Sequence, residues 1–285
     1  MAVTIRKFAP SDVPATADIC YRAFKTLAET HGFPPDLPNA QVAETALSIM
    51  SGHPLFFSVV AEAAGKVVGS NFLDERNAIS GIGPITVDPK AQNDGIGAAL
   101  MESVMRRSNE RRFAGVRLVQ AGYHCRSLAL YSKLGFNVRE PLACFQGKPI
   151  GKIPSGYAVR AASGADAAAC NQLCARVHGH DRSGELADAI AQGSARVVER
   201  SGRITGYATS IAFFGHAAAD SNDDLKVLIG AAESFGGPGF LLPTRNGEVV
   251  RWCLDHGLRI TQTMTLMTIG LYNEPSGAWL ASVTY

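Results

Sequence analysis

The stretch GPITVDPKAQNDGIGAAL, Gly83 to Leu100, changes its periodicity halfway. Its first part ends the β-branched run ISGIGPITV (79–87), which reads as a strand closing at Asp88 and Pro89. After a polar turn, Ile96, Leu100 and Val104 fall at i, i+4 and i+8, the apolar face of a helix from about Gly95 to Glu110. Gly95 and Gly97 thus stand at a helix N-terminus, where the first N–H groups lack intrahelical partners and the dipole is positive. Lacking Cβ, they let anionic oxygens approach, which suits a phosphate or diphosphate. A plain capped turn explains two glycines equally well, so the surroundings decide. No Gly-Lys-Ser/Thr follows, as a nucleotide P-loop requires, and the third glycine of a dinucleotide fingerprint is missing.

The wider pattern is V-x-P-x-x-Q-x-x-G-x-G-A, filled by Val87, Pro89, Gln92, Gly95, Gly97 and Ala98. A strand GVRLVQA (115–121) and a helical run HCRSLALYSKLGF (124–136) come next. Residues 4 to 145 so resemble the GNAT acetyltransferase superfamily, whose Gln/Arg-x-x-Gly-x-Gly/Ala loop holds the diphosphate of acetyl-CoA. The second run is similar to the family's Asn-x-x-Ala-x-x-Leu-Tyr-x-x-x-Gly-Phe helix. His124 takes the Asn place and Ser127 the Ala place, while Leu130, Tyr131, Gly135 and Phe136 match.

This resemblance implies an α/β (α+β) fold, a mixed and mostly antiparallel sheet flanked by helices, with acetyl-CoA (CoA) as cofactor. It places the cofactor against Ile85, Val87, Gln92, Asn93, Asp94, Gly95, Ile96, Gly97, Ala98, His124 and Ser127, the pantetheine arm entering between two splayed strands. The implied activity is an acetyl-CoA-dependent N-acetyltransferase, in which an amine attacks the thioester directly. Tyr131 would protonate the departing thiolate, since a phenol of pKa about 10 keeps its proton at neutral pH. Many relatives carry a Glu base on the strand corresponding to ISGIGPITV, and this sequence has none there. The base is therefore sought in FLDER, at Glu75 or Asp74, or at His31 in the segment HGFPPDLP, with Arg76 orienting the site. The missing strand carboxylate leaves an alternative, a non-catalytic acyl-CoA-binding or regulatory module.

The chain also resembles itself. IRKFAPSD from Ile5 pairs with VRAASGAD from Val159, so that Arg6 meets Arg160, Asp12 meets Asp166, Cys20 meets Cys174 and Arg22 meets Arg176. GKVVG from Gly65 pairs with GRITG from Gly202, two hairpin turns, and LYSKLGF with WCLDHGL. Two GNAT-like domains in tandem follow: 1–147 catalytic, 148–156 a linker rich in Gly, Pro and Lys, and 157–285 degenerate. In the second copy the cofactor loop should lie between a strand GYATSIAFF and a helix near Asp224 to Ser234. That stretch lacks the glycines and puts Asp223 and Asp224 at the helix start, where they would repel diphosphate. Cys253 stands where the first copy has Tyr131. Trp279 in the tail is read as packed, not functional.

With 285 residues, 46% hydrophobic, the chain can bury a large core. A net charge of +2 with interspersed signs gives no electrostatic case for nucleic acid or a membrane surface. No apolar run matches a signal peptide or a membrane span, so a cytoplasmic location is expected. The six scattered cysteines read as free thiols. Cys170 and Cys174 are assigned to core packing, and His178, His180 and Asp181 to a solvated loop, so no metal is expected. The partner is an amine on a small molecule or peptide, and a homodimer is left open.

Overall fold

The computed structural model describes residues 3–92 and 94–284. The first half runs β1 (Val3–Lys7), α1 (Val13–Thr30), α2 (Ala40–Gly52), β2 (Phe56–Ala63), β3 (Lys66–Asp74), β4 (Ile79–Ile82), β5 (Thr86–Val87), α3 (Ile96–Glu110), β6 (Gly115–Ala121), α4 (Cys125–Lys133) and β7 (Asn137–Gln146). The second runs β8 (Tyr157–Ala161), α5 (Ala167–His178), α6 (Ser183–Ala191), β9 (Arg196–Arg200), β10 (Arg203–Ala208), β11 (Ala217–Ala219), α7 (Asn222–Gly230), β12 (Phe240–Pro243), α8 (Gly247–Asp255), β13 (Arg259–Gly270) and β14 (Ala278–Leu280).

The repeat persists down to single hydrogen bonds. Arg6 holds both oxygens of Asp12 at 2.8 Å and reaches Glu62 at 2.9 Å. Arg160 holds Asp166 at 2.8 Å and Glu199 at 2.6 Å. Each pair fastens the turn that starts α1 or α5 to its neighbouring strands. Arg22 on α1 grips Asp88 at 3.1 Å, and Arg176 on α5 grips Asp220 at 2.9 Å. The β2–β3 and β9–β10 hairpins turn on Ala64-Gly65 and Ser201-Gly202, all four residues with positive φ, as tight two-residue turns demand.

Three elements differ from the sequence reading. ISGIGPITV is not one strand. It breaks after Ile82, because Pro84 has no N–H to continue a ladder, and resumes as β5, which pairs with β3. GYATSIAFF leaves the sheet after Ala208, and the returning β11 lies in the stretch expected to be a loop. His178 is buried, not solvated.

The sheet does not divide where the linker does. The strand order is β1-β2-β3-β4-β6-β13-β7-β12, followed by a second sheet β14-β11-β10-β9-β8. An isolated bridge between Leu241 and Ala281 stitches the two. Strand β7 follows α4 yet pairs with β13 and β12, both from the second half. Strand β13 follows α8 yet pairs with β6 of the first half, Met264 opposite Ala121 through Gly270 opposite Gly115. The two halves have thus exchanged their strands after the α4 and α8 helices.

One core consequently draws on both halves: Leu142, Leu173, Tyr207, Leu241, Leu266 and Trp279 are all buried in it. Side chains alternate along β6. Val116 and Leu118 pack toward α3 and α4 with Leu100 and Tyr131, whereas Val119 and Ala121 face this shared core.

Candidate active site

Strands β4 and β6 run parallel through Ile79–Gly115, Ser80–Val116 and Gly81–Arg117, and then diverge. Beyond that point the chain 83–87 leans on β3 while β6 continues against β13. Asp88 N donates to Val68 O at 2.8 Å, so alternation turns the backbone groups of Ile85 and Val87 away from β3, into the gap. The N-terminus of α3 lies at its mouth. Gly95 is its cap with φ +77°, a left-handed conformation that favours glycine, and the first intrahelical bond is Ala99 N to Gly95 O at 3.1 Å. The N–H groups of Ile96, Gly97 and Ala98 therefore precede the helical ladder. A Cβ on Gly97 would come no closer than 3.6 Å to Leu130, so packing within the protein does not demand glycine there.

This gap opens into a cavity of about 750 Å³, within the range of small-molecule sites. Its lining includes Ile85, Val87, Gln92, Gly95, Ile96, Gly97, Ala98, His124, Ser127 and Tyr131. Of the remaining expected contacts, Asp94 is exposed and outside the lining, and Asn93 lies outside the described residues. Gln92 Nε2 donates to Val87 O at 3.2 Å, while its Oε1 accepts from Arg126, whose cation thus stands at the helix start.

Tyr131 is buried, and desolvation pushes its phenol up to about 12, with a hydrogen bond to Ser127 pulling the other way. His124 Nδ1 and the Ser127 hydroxyl are 2.7 Å apart. Burial, with Arg126 and His31 adding repulsion, lowers His124 to about 4, so its ring is neutral at pH 7. Gln120 shares the α3/α4-facing side of β6 with Leu118 and lines the cavity, and neither end of its buried amide has a partner.

The base expected at Glu75 is not at this cavity. Its carboxylate accepts from Arg107 Nε at 2.6 Å and Nη2 at 3.0 Å, which pins the β3 end to α3. Asp74 and Arg76 are engaged as well. Arg76 bonds Asp74 at 2.6 Å and Asp188 of α6 at 2.9 Å, latching the halves together. His31 does line the cavity, its ring 5.3 Å from that of Tyr123.

The one carboxylate among the described lining residues is Asp36, which the sequence reading overlooked. It sits in the segment 31–38, half-buried, and accepts from Gln262 Nε2 of β13 at 2.7 Å. Burial raises its carboxyl above the usual range. Gln262 in turn accepts from Tyr123 OH at 3.4 Å, and Phe33 stacks on Tyr123 with ring centroids 4.1 Å apart. The second half also supplies Phe213, Phe214, Met264, Val283 and Thr284 to the wall. Two signals were available for the overlooked residues: a polar Gln120 between the apolar Val119 and Ala121 of a strand, and a lone acid in a proline-bounded insertion.

In the second half, the corresponding helix start is filled from within. Asp224 is fully buried at the start of α7, where Thr205 donates to it at 2.6 Å, Ser221 donates to it, and Arg200 lies 3.3 Å away. Cys253 is buried on α8. Elsewhere in this half, Cys174, His178 and His216 gather with candidate ligand atoms within 4.8 Å of one another, and His178 Nε2 lies 3.1 Å from His216 Nε2. Burial, then Arg182 and further basic neighbours including Arg117, lowers both imidazoles well below normal.

The class that this architecture defines is an α/β fold of two interlaced repeats, with a helix-capped gap in the first. Residues 54–138 match the model of the acetyltransferase (GNAT) domain. The chain is a tandem GNAT-fold protein. A protein described as a putative acetyltransferase from Pyrococcus horikoshii superposes with a TM-score of 0.73, over 96% of this chain and 91% of its own, at 16% identity. A GCN5-related N-acetyltransferase from Sphaerobacter thermophilus does so with a TM-score of 0.64, over 99% and 98%, at 16% identity. A tandem GNAT protein from the clavulanic acid biosynthesis pathway gives 0.56, over 94% and 98%, at 13% identity. At these identities the likeness is one of fold. No curated protein sequence matches the chain. Among the described residues, no helix is long and apolar enough to cross a membrane.

Proposed function

We propose that the first half transfers an acyl group, acetyl, from acyl-CoA to a primary amine, and that the second half completes its acceptor side. The observation that carries this reading is the meeting, in one cavity, of the bare α3 N-terminus, the diverging strands and Tyr131. The residues present fit CoA. The N–H groups of Ile96, Gly97 and Ala98, with Arg126 beside them, suit a diphosphate. The backbone of Ile85 and Val87 and the unpartnered amide of Gln120 suit the two amides of pantetheine.

When bound, acetyl-CoA supplies an activated acyl thioester. A buried phenol near 12 keeps its proton throughout the physiological range, so Tyr131 is placed to give a proton to the departing sulfur. Asp36 is placed to take a proton from the attacking ammonium, and a carboxyl raised by burial is a better base than an exposed one. The N–C bond forms, the C–S bond breaks, and the electron pair that leaves on sulfur is protonated. His124, neutral and joined to Ser127, holds the Ser127 hydroxyl against Tyr131. Six free cysteines fit action in a reducing compartment such as the cytoplasm.

The test is thiol release from acetyl-CoA in the presence of amines. Tyr131→Phe should lower kcat on the order of 100-fold, while KM for acetyl-CoA stays within about twofold. Unchanged kcat in that variant would remove Tyr131 from the chemistry. CoA binding with no turnover of any amine would favour a regulatory module instead.

A further inference from the structure

The cavity has two chemically different ends. One, between α3 and α4, carries Arg126 and the bare N–H groups and is suited to phosphate. The other lies across the sheet, between α1, α2, the 31–38 segment and the second half. Its walls are apolar: Phe24 and Leu27 come from α1, Met50 from α2, and Phe213, Phe214 and Met264 from the second half. Phe214 is 48% exposed, so the wall reaches the surface and offers an entry.

Charge at this end is one-sided. Asp36 is the only acid among the described lining residues, and Gln262 and Tyr123 hold it in place. Among the described residues, no lysine lines the cavity. Of the basic side chains that do, Arg126 is bonded to Gln92 at the phosphate end, and His124 is neutral. That leaves only His31 to meet an acceptor carboxylate, while Asp36 would repel one. A second anion at about 5 Å from Asp36, in surroundings of effective dielectric about 20, is disfavoured roughly 100-fold or more.

Resting on the N-acyltransferase reading above, we propose that the acceptor is a primary amine on an aryl or alkyl body that carries no carboxylate. Its ammonium pairs with Asp36 and its body fills the wall built by Phe24, Phe213, Phe214 and Met264. The second half is in this sense the specificity element of the first. Its loop between β10 and β11 brings the two phenylalanines, and β13 brings Met264 and the glutamine that orients Asp36.

The deciding experiment compares kcat/KM, with acetyl-CoA, for three acceptors sharing one aromatic body: 2-phenylethylamine, L-phenylalanine and L-phenylalaninamide. Methylamine and a lysine-containing peptide complete the panel. Phenylethylamine and the amide should exceed phenylalanine by about 100-fold, and methylamine should be poor. Asp36→Asn should narrow the gap between phenylalanine and its amide. Phe214→Ala should raise KM for phenylethylamine several-fold and leave CoA affinity, read by calorimetry, unchanged. Preference for phenylalanine or for the peptide would overturn the acceptor assignment while leaving the acyltransferase reading intact. Absence of turnover with every amine would overturn both.

Discussion

Gln120 puts stability and binding in opposition, which makes it the sharpest probe of the proposed cofactor channel. Its side chain is 6% exposed and neither Nε2 nor Oε1 has a partner. A buried polar group left unsatisfied costs about 1–3 kcal/mol. Replacing Gln120 with Met keeps the length of an unbranched chain and removes the amide, so the ligand-free protein should gain about 2 kcal/mol. For a chain of this size that is a rise in melting temperature of roughly 4 °C. In the proposed complex, the same change removes a donor and an acceptor that would face pantetheine. At about 1 kcal/mol net for each bond, CoA affinity should fall roughly 30-fold. Differential scanning fluorimetry without ligand and calorimetry with CoA read the two effects separately. A Gln120→Met protein that melts lower and binds CoA as tightly as the parent would refute the placement of this amide in the channel.

Two further outcomes follow from the geometry. A fragment of residues 1–147 lacks β12 and β13, the sheet partners of β7, and leaves β6 without its outer neighbour. It should show no cooperative thermal transition and no CoA binding, and a soluble, CoA-binding monomer would contradict this. For pH dependence, Asp36 in the proposed mechanism acts only when ionised, and its pKa is raised, so kcat/KM should climb with pH through an inflection above the ordinary carboxylate range of about 4. Asp36→Asn should abolish that inflection. Tyr131, near 12, should cause no loss of rate below pH 10.

The first half of the candidate site was legible because its signals are local. A switch from strand to helix periodicity at Asp88–Gly95, and Tyr131 four residues before Gly135, are fixed by neighbours along the chain. The repeat was legible for the same reason, since Arg6–Asp12 and Arg160–Asp166 are short-range pairs. Strand exchange was hidden, because the pairing of β6 with β13 joins residues far apart in sequence and leaves no periodic trace in either. The misplaced base shows the same limit. Glu75 and Asp36 are both acids in polar stretches, and only the fold reveals that Arg107 consumes one while the cavity receives the other. His178 misled through its glycine neighbour, since the helix in fact buries it before ending at Gly179.

Asp224 completes the comparison of the two helix starts. In the second half the positive end of α7 is answered by a carboxylate of its own chain, fully buried and held by Thr205, Ser221 and Arg200. That module is finished on folding. Among the described residues, no fully buried carboxylate is held in this way at the α3 end, and under the proposed function a bound anion supplies that closure. In the proposed reading, one repeat has become self-sufficient scaffolding, and the other keeps a deficit that a ligand fills.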